Sequence, residues 1–218
     1  MLVVGFDTAT PAVSVAVRDG ERVVAEASAA DGRRHGELLM PMIAKVLADA
    51  GVSRADLTAV AVGIGPGPYT GLRVGVVTAR VLGAVLGIPV HGVCSLDIIA
   101  AAVTPVAGRE FLVATDARRK EVYWARYDDA GRRVEGPLVG PAAAIPGAAE
   151  LAVAGAGGQL YPESFGAVIE PAYPAARALC GIVAAQLAAG QPALATEPLY
   201  LRRPDAKEPG PPKRVTPS

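Results

Sequence analysis

Two hydrophobic rhythms alternate along the 218-residue chain and predict its elements in order. Residues 2–6 form an unbroken apolar run, suited to a central strand covered on both faces. Thr8-Ala9-Thr10-Pro11 reads as a turn and residues 12–17 as an antiparallel neighbour. Asp19-Gly20 is the hairpin signal before a third strand through Val23 and Val24. The period then lengthens. Leu38, Leu39, Met42, Ile43, Val46 and Leu47 give a broad apolar face to a helix over about 35–50, stopped by Gly51. Pro41 is expected near its first turn, where a missing amide donor matters least. A β-branched strand over 58–64 runs into the loop Gly65-Pro66-Gly67-Pro68, followed by a helix over 69–86, a short strand over 89–93 and a short helix over 95–103.

The second half repeats the theme. Residues 111–115 form a strand ending at Asp116, as the first strand ended at Asp7, and 121–127 form the returning strand. Asp128-Asp129-Ala130-Gly131 closes that hairpin where the first copy has Asp19-Gly20, and 151–158 echo the strand and glycine loop of 60–67. A helix over about 175–189 ends the copy. Two β-rich α/β domains follow, over 1–105 and 106–195, each a mixed sheet flanked by helices. The segment 196–218 is proline-rich and charged, and is expected to lack fixed structure after about 204.

Composition narrows the function. Hydrophobic residues are 51% and charged residues 19%, enough apolar material for a true core. Lysine plus arginine and aspartate plus glutamate are both 21, which argues against a protein that holds nucleic acid unaided. Cys94 and Cys180 are too few and too far apart for a disulfide framework or a thiolate metal site, and both sit in apolar surroundings. The first residues lack a positively charged lead-in, and the best uncharged apolar run, 81–90, is broken by Gly83, Gly87 and Pro89. A soluble, cytoplasmic protein without a membrane role is expected.

Five blocks carry a family resemblance. They are Phe6-Asp7-Thr8-Ala9-Thr10, His35-Gly36-Glu37-Leu38-Leu39-Met40-Pro41, Gly65-Pro66-Gly67-Pro68-Tyr69-Thr70-Gly71-Leu72-Arg73-Val74-Gly75, Asp116-Ala117-Arg118-Arg119-Lys120-Glu121-Val122-Tyr123 and Pro198-Leu199-Tyr200-Leu201-Arg202. Together they resemble the TsaB (YeaZ) family, most densely over the first 127 residues. Pro68-Tyr69 stands where that family usually has Ser-Phe. The resemblance implies an actin-like ATPase fold and a place in the machinery that makes N6-threonylcarbamoyladenosine at tRNA position 37. There a catalytic paralogue, TsaD, transfers the group, TsaB supports it as a scaffold and a small ATPase, TsaE, docks on the pair. It implies no cofactor of the chain's own, room for a nucleotide at the partner interface, tRNA contact through the complex, and a homodimer when the paralogue is absent.

Asp7, with Thr8 and Thr10, occupies the place where active members of such a fold orient a metal-bound water or phosphate. The blander reading, an acid capping the turn amides, is favoured because the second loop, Asp116-Ala117-Arg118 with 155–158, is poorly furnished for a nucleotide. A stand-alone kinase or phosphohydrolase using Asp7 is the rival function. Catalytic paralogues carry HxxxH for a metal, and alignment puts Ser95 and Ile99 at those positions. No metal site, peptidase motif or nucleophile elbow stands out.

Gly71, Gly75, Ala79 and Gly83 recur every four residues on the second helix. Such a stripe serves close packing, either inside the domain or against a partner. The resemblance assigns the two helices to a dimer surface of His35, Leu39, Met42, Ile43, Val46, Gly71, Leu72, Gly75, Val76, Ala79 and Gly83, with Leu39, Met42 and Ile43 facing outward. His35 reads equally as a turn cap or a partner contact, and His91 as a satisfied structural residue. Arg118 and Arg119 are candidates for RNA contact, with a solvated basic pair as the blander alternative.

Overall fold

The chain builds two five-stranded sheets of the same strand order. A computed structural model describes residues 1–32 and 34–202, with backbone only for 105–107. In the first half, β1 (Leu2–Asp7), β2 (Ala12–Asp19) and β3 (Arg22–Ala30) form an antiparallel meander. Next come α1 (His35–Asp49), β4 (Ala59–Gly63), α2 (Tyr69–Leu86), β5 (Val90–Val93) and α3 (Ser95–Ala107). The second half has β6 (Phe111–Asp116), β7 (Val122–Tyr127), β8 (Arg133–Gly140), β9 (Ala152–Ala154), α4 (Ala156–Leu160), β10 (Ala167–Ile169) and α5 (Ala176–Ala188). The orders are β3-β2-β1-β4-β5 and β8-β7-β6-β9-β10, with β4 and β9 parallel to the central strands β1 and β6. This duplicated mixed sheet flanked by helices is the fold class that the sequence implied.

Layering follows from which faces are apolar. α1 and α2 cover one face of the first sheet, where Leu39, Ile43, Val46, Leu72 and Val76 meet Phe6, Val15 and Val62. The opposite face is covered by α5, whose Leu179, Cys180 and Val183 meet Val3, Ala16 and Ala61. α3 packs on the second sheet through Leu96, Ile99 and Val103 against Phe111, Val113 and Tyr127. A linear division at 105/106 therefore misses an exchange: the last helix of each half lies on the other half's sheet. The outer face of the second sheet is covered by short 3-10 turns carrying Ala142, Ile145 and Ala148.

Pro41 lies inside α1 and not in its first turn, because the helix begins at His35. By length and composition alone α2 is apolar enough to cross a membrane. Its Arg73 and Arg80, and the face it buries on the sheet, instead mark a core helix. After α5 the chain returns as a strap along β5 and α2. Gly92 N–H bonds to the Leu194 carbonyl, Leu199 N–H to the Ile64 carbonyl, and Arg80 holds Thr196. The expectation of lost structure after about residue 204 falls on positions outside the described residues.

Candidate functional site

Asp7 closes β1 and is fully enclosed, with 0% exposure. Its Oδ1 accepts the Ala9 N–H at 2.8 Å and its Oδ2 accepts the Ser95 hydroxyl at 2.6 Å. Ser95 Oγ accepts the Gly65 N–H in turn. Burial lifts the Asp7 pKa from its ordinary 3.8 to about 6, against the pull of the Ser95 and Ala9 hydrogen bonds. Thr8 Oγ1 donates to the Gly71 carbonyl at 2.8 Å, and the Thr10 hydroxyl is engaged with Ala12. Asp7, Thr8 and Thr10 lie together, with their polar atoms turned onto backbone groups and the Ser95 hydroxyl. Gly63 is required beside them because a Cβ there would run into Asp7 Oδ2.

Ser95 occupies the position the alignment paired with a metal-binding histidine. Its hydroxyl instead ties β1 to the start of α3, and Ile99 is buried with Phe111 and Tyr127. Among the described residues no three histidine, cysteine or carboxylate side chains converge. His35 Nε2 donates to the Thr10 carbonyl at 2.7 Å, fastening the start of α1 to the turn after β1. His91 is buried as expected but is not satisfied: neither ring nitrogen has a partner, and burial lowers its pKa. Both cysteines are buried, with thiols pushed up to about 12 by burial, which leaves them unreactive at neutral pH.

The helix pair requires a correction. The glycine stripe faces inward. A Cβ at Gly71 would lie 2.6 Å from the Thr8 carbonyl oxygen, one at Gly75 would lie 2.5 Å from Thr8 Oγ1, and one at Gly83 would collide with Val90. The stripe lets α2 lie directly on the sheet, and Leu72, Val76 and Ala79 are buried with it. On α1, Leu39, Ile43 and Val46 are likewise core residues, and Met42 is half-buried at the seam. The outward apolar residues are others: Val77, Val81 and Val85 on α2, 57%, 55% and 77% exposed, and Met40 on α1. Their own four-residue spacing was visible, because α2 is apolar on opposite sides, one small and one branched. The small side mimics an interface in sequence because a glycine seam also suits helix–helix contact between proteins.

The basic residues sit on a strained turn. Arg118, Arg119 and Lys120, between β6 and β7, have φ values of 62°, 54° and 61°. Left-handed backbone costs a residue with a side chain about 1–2 kcal/mol. Asp116 Oδ1 accepts the Arg118 N–H at 2.7 Å, repeating the cap that Asp7 makes to Ala9, and Arg118 also pairs with Asp116 Oδ2 at 3.3 Å. Arg202, from the strap, donates to the Ala117 carbonyl and pairs with Glu121. Nearby, Tyr69 and Tyr200 lie 5.2 Å apart between ring centroids, with the Arg73 guanidinium 3.8 Å from the Tyr69 centroid.

A family model described as TsaD: tRNA N6-adenosine threonylcarbamoyltransferase matches residues 23–165. An uncharacterized protein of Mycobacterium tuberculosis (strain H37Rv) is 48% identical over 211 residues, covering 94% of this chain and 93% of that protein. The tRNA threonylcarbamoyladenosine biosynthesis protein TsaB of Escherichia coli K12 is 38% identical over 128 residues, which span 58% of this chain and 55% of that protein. The solved structure of YeaZ from Pseudomonas aeruginosa superposes with a TM-score of 0.76 at 31% identity, over 92% of this chain and 99% of that one.

Proposed function

The chain belongs to the TsaB (YeaZ) family, and from that premise we propose that it is a non-catalytic scaffold in the making of N6-threonylcarbamoyladenosine on tRNA. Its grip on a TsaD-like catalytic paralogue is the outer face of α1 and α2. The observation that carries this reading is the row Val77, Val81 and Val85 standing in solvent on α2, with Met40 exposed on α1. Covering an exposed valine or methionine stabilises an assembly by about 1.5–3 kcal/mol per side chain, and patches of this kind mark association sites. The same face serves a homodimer when the paralogue is absent. A TsaE-like ATPase is the second protein partner and tRNA is met through the complex, in the cytoplasm. No cofactor is assigned to the chain itself, and a nucleotide is placed at the seam with the paralogue.

The enclosure of Asp7 supports the non-catalytic half of the proposal. A phosphohydrolase needs a carboxylate that reaches its water or phosphate, and both oxygens of Asp7 are spent on Ala9 and Ser95. The decisive experiment is depletion of the protein followed by mass spectrometry of tRNA nucleosides. N6-threonylcarbamoyladenosine is expected to fall; its persistence at normal levels removes the assignment.

A further inference from the structure

The left-handed turn and the tyrosine pair line one cleft of about 250 Å³ at the junction of the two halves. We propose that this cleft seats one nucleotide of a single-stranded RNA, with the base on the Tyr69–Tyr200 pair and the phosphate at Arg118. This deepens the RNA-modification role proposed above and rests on it.

Three observations carry the site. First, three consecutive residues with side chains hold positive φ, and all three are cations. Such backbone persists where its surroundings over-determine it, and here the Asp116 cap and the Arg202 clamp do so, gathering positive charge at one tip. Second, Tyr69 and Tyr200 are 39% and 42% exposed although they are large rings beside ample core. The Arg73 guanidinium lies over the Tyr69 face and its Nε donates to the Tyr200 hydroxyl, so a base stacks on the ring faces left open, and such stacking tolerates any sequence because every base has a π-face. Third, Arg118 and Pro68 also line a neighbouring cleft of about 280 Å³ with Thr70 and His35. A strand pinned at Arg118 therefore lies at a wall shared by both clefts, whereas a lone mononucleotide would fill only one. The zero net charge of the whole chain fits modest affinity, completed by a partner.

The test uses the full chain and a fluorescent mixed-sequence RNA of about 12 nucleotides, within the span of known single-strand sites. At low salt, Arg118→Glu is expected to weaken binding at least about tenfold and to lower the salt slope by about one. Tyr200→Ala should weaken binding with the slope unchanged. Arg118→Gly keeps the turn's backbone at ease, so its melting temperature should hold while RNA affinity is lost. AMP and inorganic phosphate, added as competitors, should displace the RNA only at far higher concentration. Displacement by AMP at comparable concentration would reassign the cleft to free nucleotides and overturn the strand reading. Equal affinity for the parent and both Arg118 variants, or no RNA binding by the parent, overturns the proposal outright. Either result leaves the nucleoside measurement after depletion free to stand or fall alone.

Discussion

In the first half, the 15 residues of α1 and the 18 of α2 cover the outer face of the sheet. In the second, the corresponding stretches are 3-10 turns and the five residues of α4. The strand order is the same in both, and so is the aspartate that ends the central strand and caps the amide two residues on. What differs is the use of that corner. Asp7 is sealed under Gly63 and bonded to Ser95, whereas Asp116 is half-buried and paired with Arg118. The strand order and the capped turn are common to both halves, while the long outer helices belong to the first half alone. The duplicated unit is a frame, and each copy dresses it differently.

The most damaging way to break this contrast is Gly75→Leu. The side chain would enter space held by Thr8 and Val62, so overpacking should remove more than about 3 kcal/mol, seen as collapse of the cooperative melt. Survival of a normal melt would put the stripe outside the core after all.

Asp7→Asn sharpens the contrast between the two aspartates. Because the folded pKa lies above 3.8, the contribution of Asp7 is fully present below pH 3.8 and is lost as pH rises through about 6. The shift corresponds to about 3 kcal/mol at most. Asp7→Asn should therefore flatten the difference in denaturant stability between pH 4 and 7, and Asp116→Asn should change stability at pH 7 by less than about 0.5 kcal/mol. A parent protein whose pH profile matches that of Asp7→Asn would refute the buried charge.

The mildest substitution for the fold is Val81→Glu, at a side chain already in water. Stability should stay within about 0.5 kcal/mol, while affinity for the TsaD-like partner falls by about 2 kcal/mol or more in titration calorimetry. Undiminished binding would move the interface elsewhere.

Much of this fold was legible because the local patterns were strong. The run at 2–6, the Asp19-Gly20 turn and the apolar period of 69–86 each specify one element, and α2 appears with the bounds its pattern gave. The region from 132 to 175 was harder. β8 contains Gly136 and Pro137, β10 has three residues, and α4 is too short to show a period. The exchange of α3 and α5 was not readable at all, since an apolar helix face fits either sheet. At the site, the sequence identified Asp7 but not its bond to Ser95, 88 residues away. The family resemblance set the glycine stripe of α2 on an outward face and the structure buries it, because a smooth seam and a greasy ridge are both apolar in a one-dimensional pattern.

The exchanged helices also bear on how the two lobes move. A two-lobed cleft opens by swinging one lobe against the other about a hinge. Here α5 rests on the first sheet and α3 on the second, with the two helices in contact between them. Swinging the lobes apart would drag a greasy helix off its seat on each side, so the molecule is clasped. A clasped body of this kind suits the scaffold role proposed above.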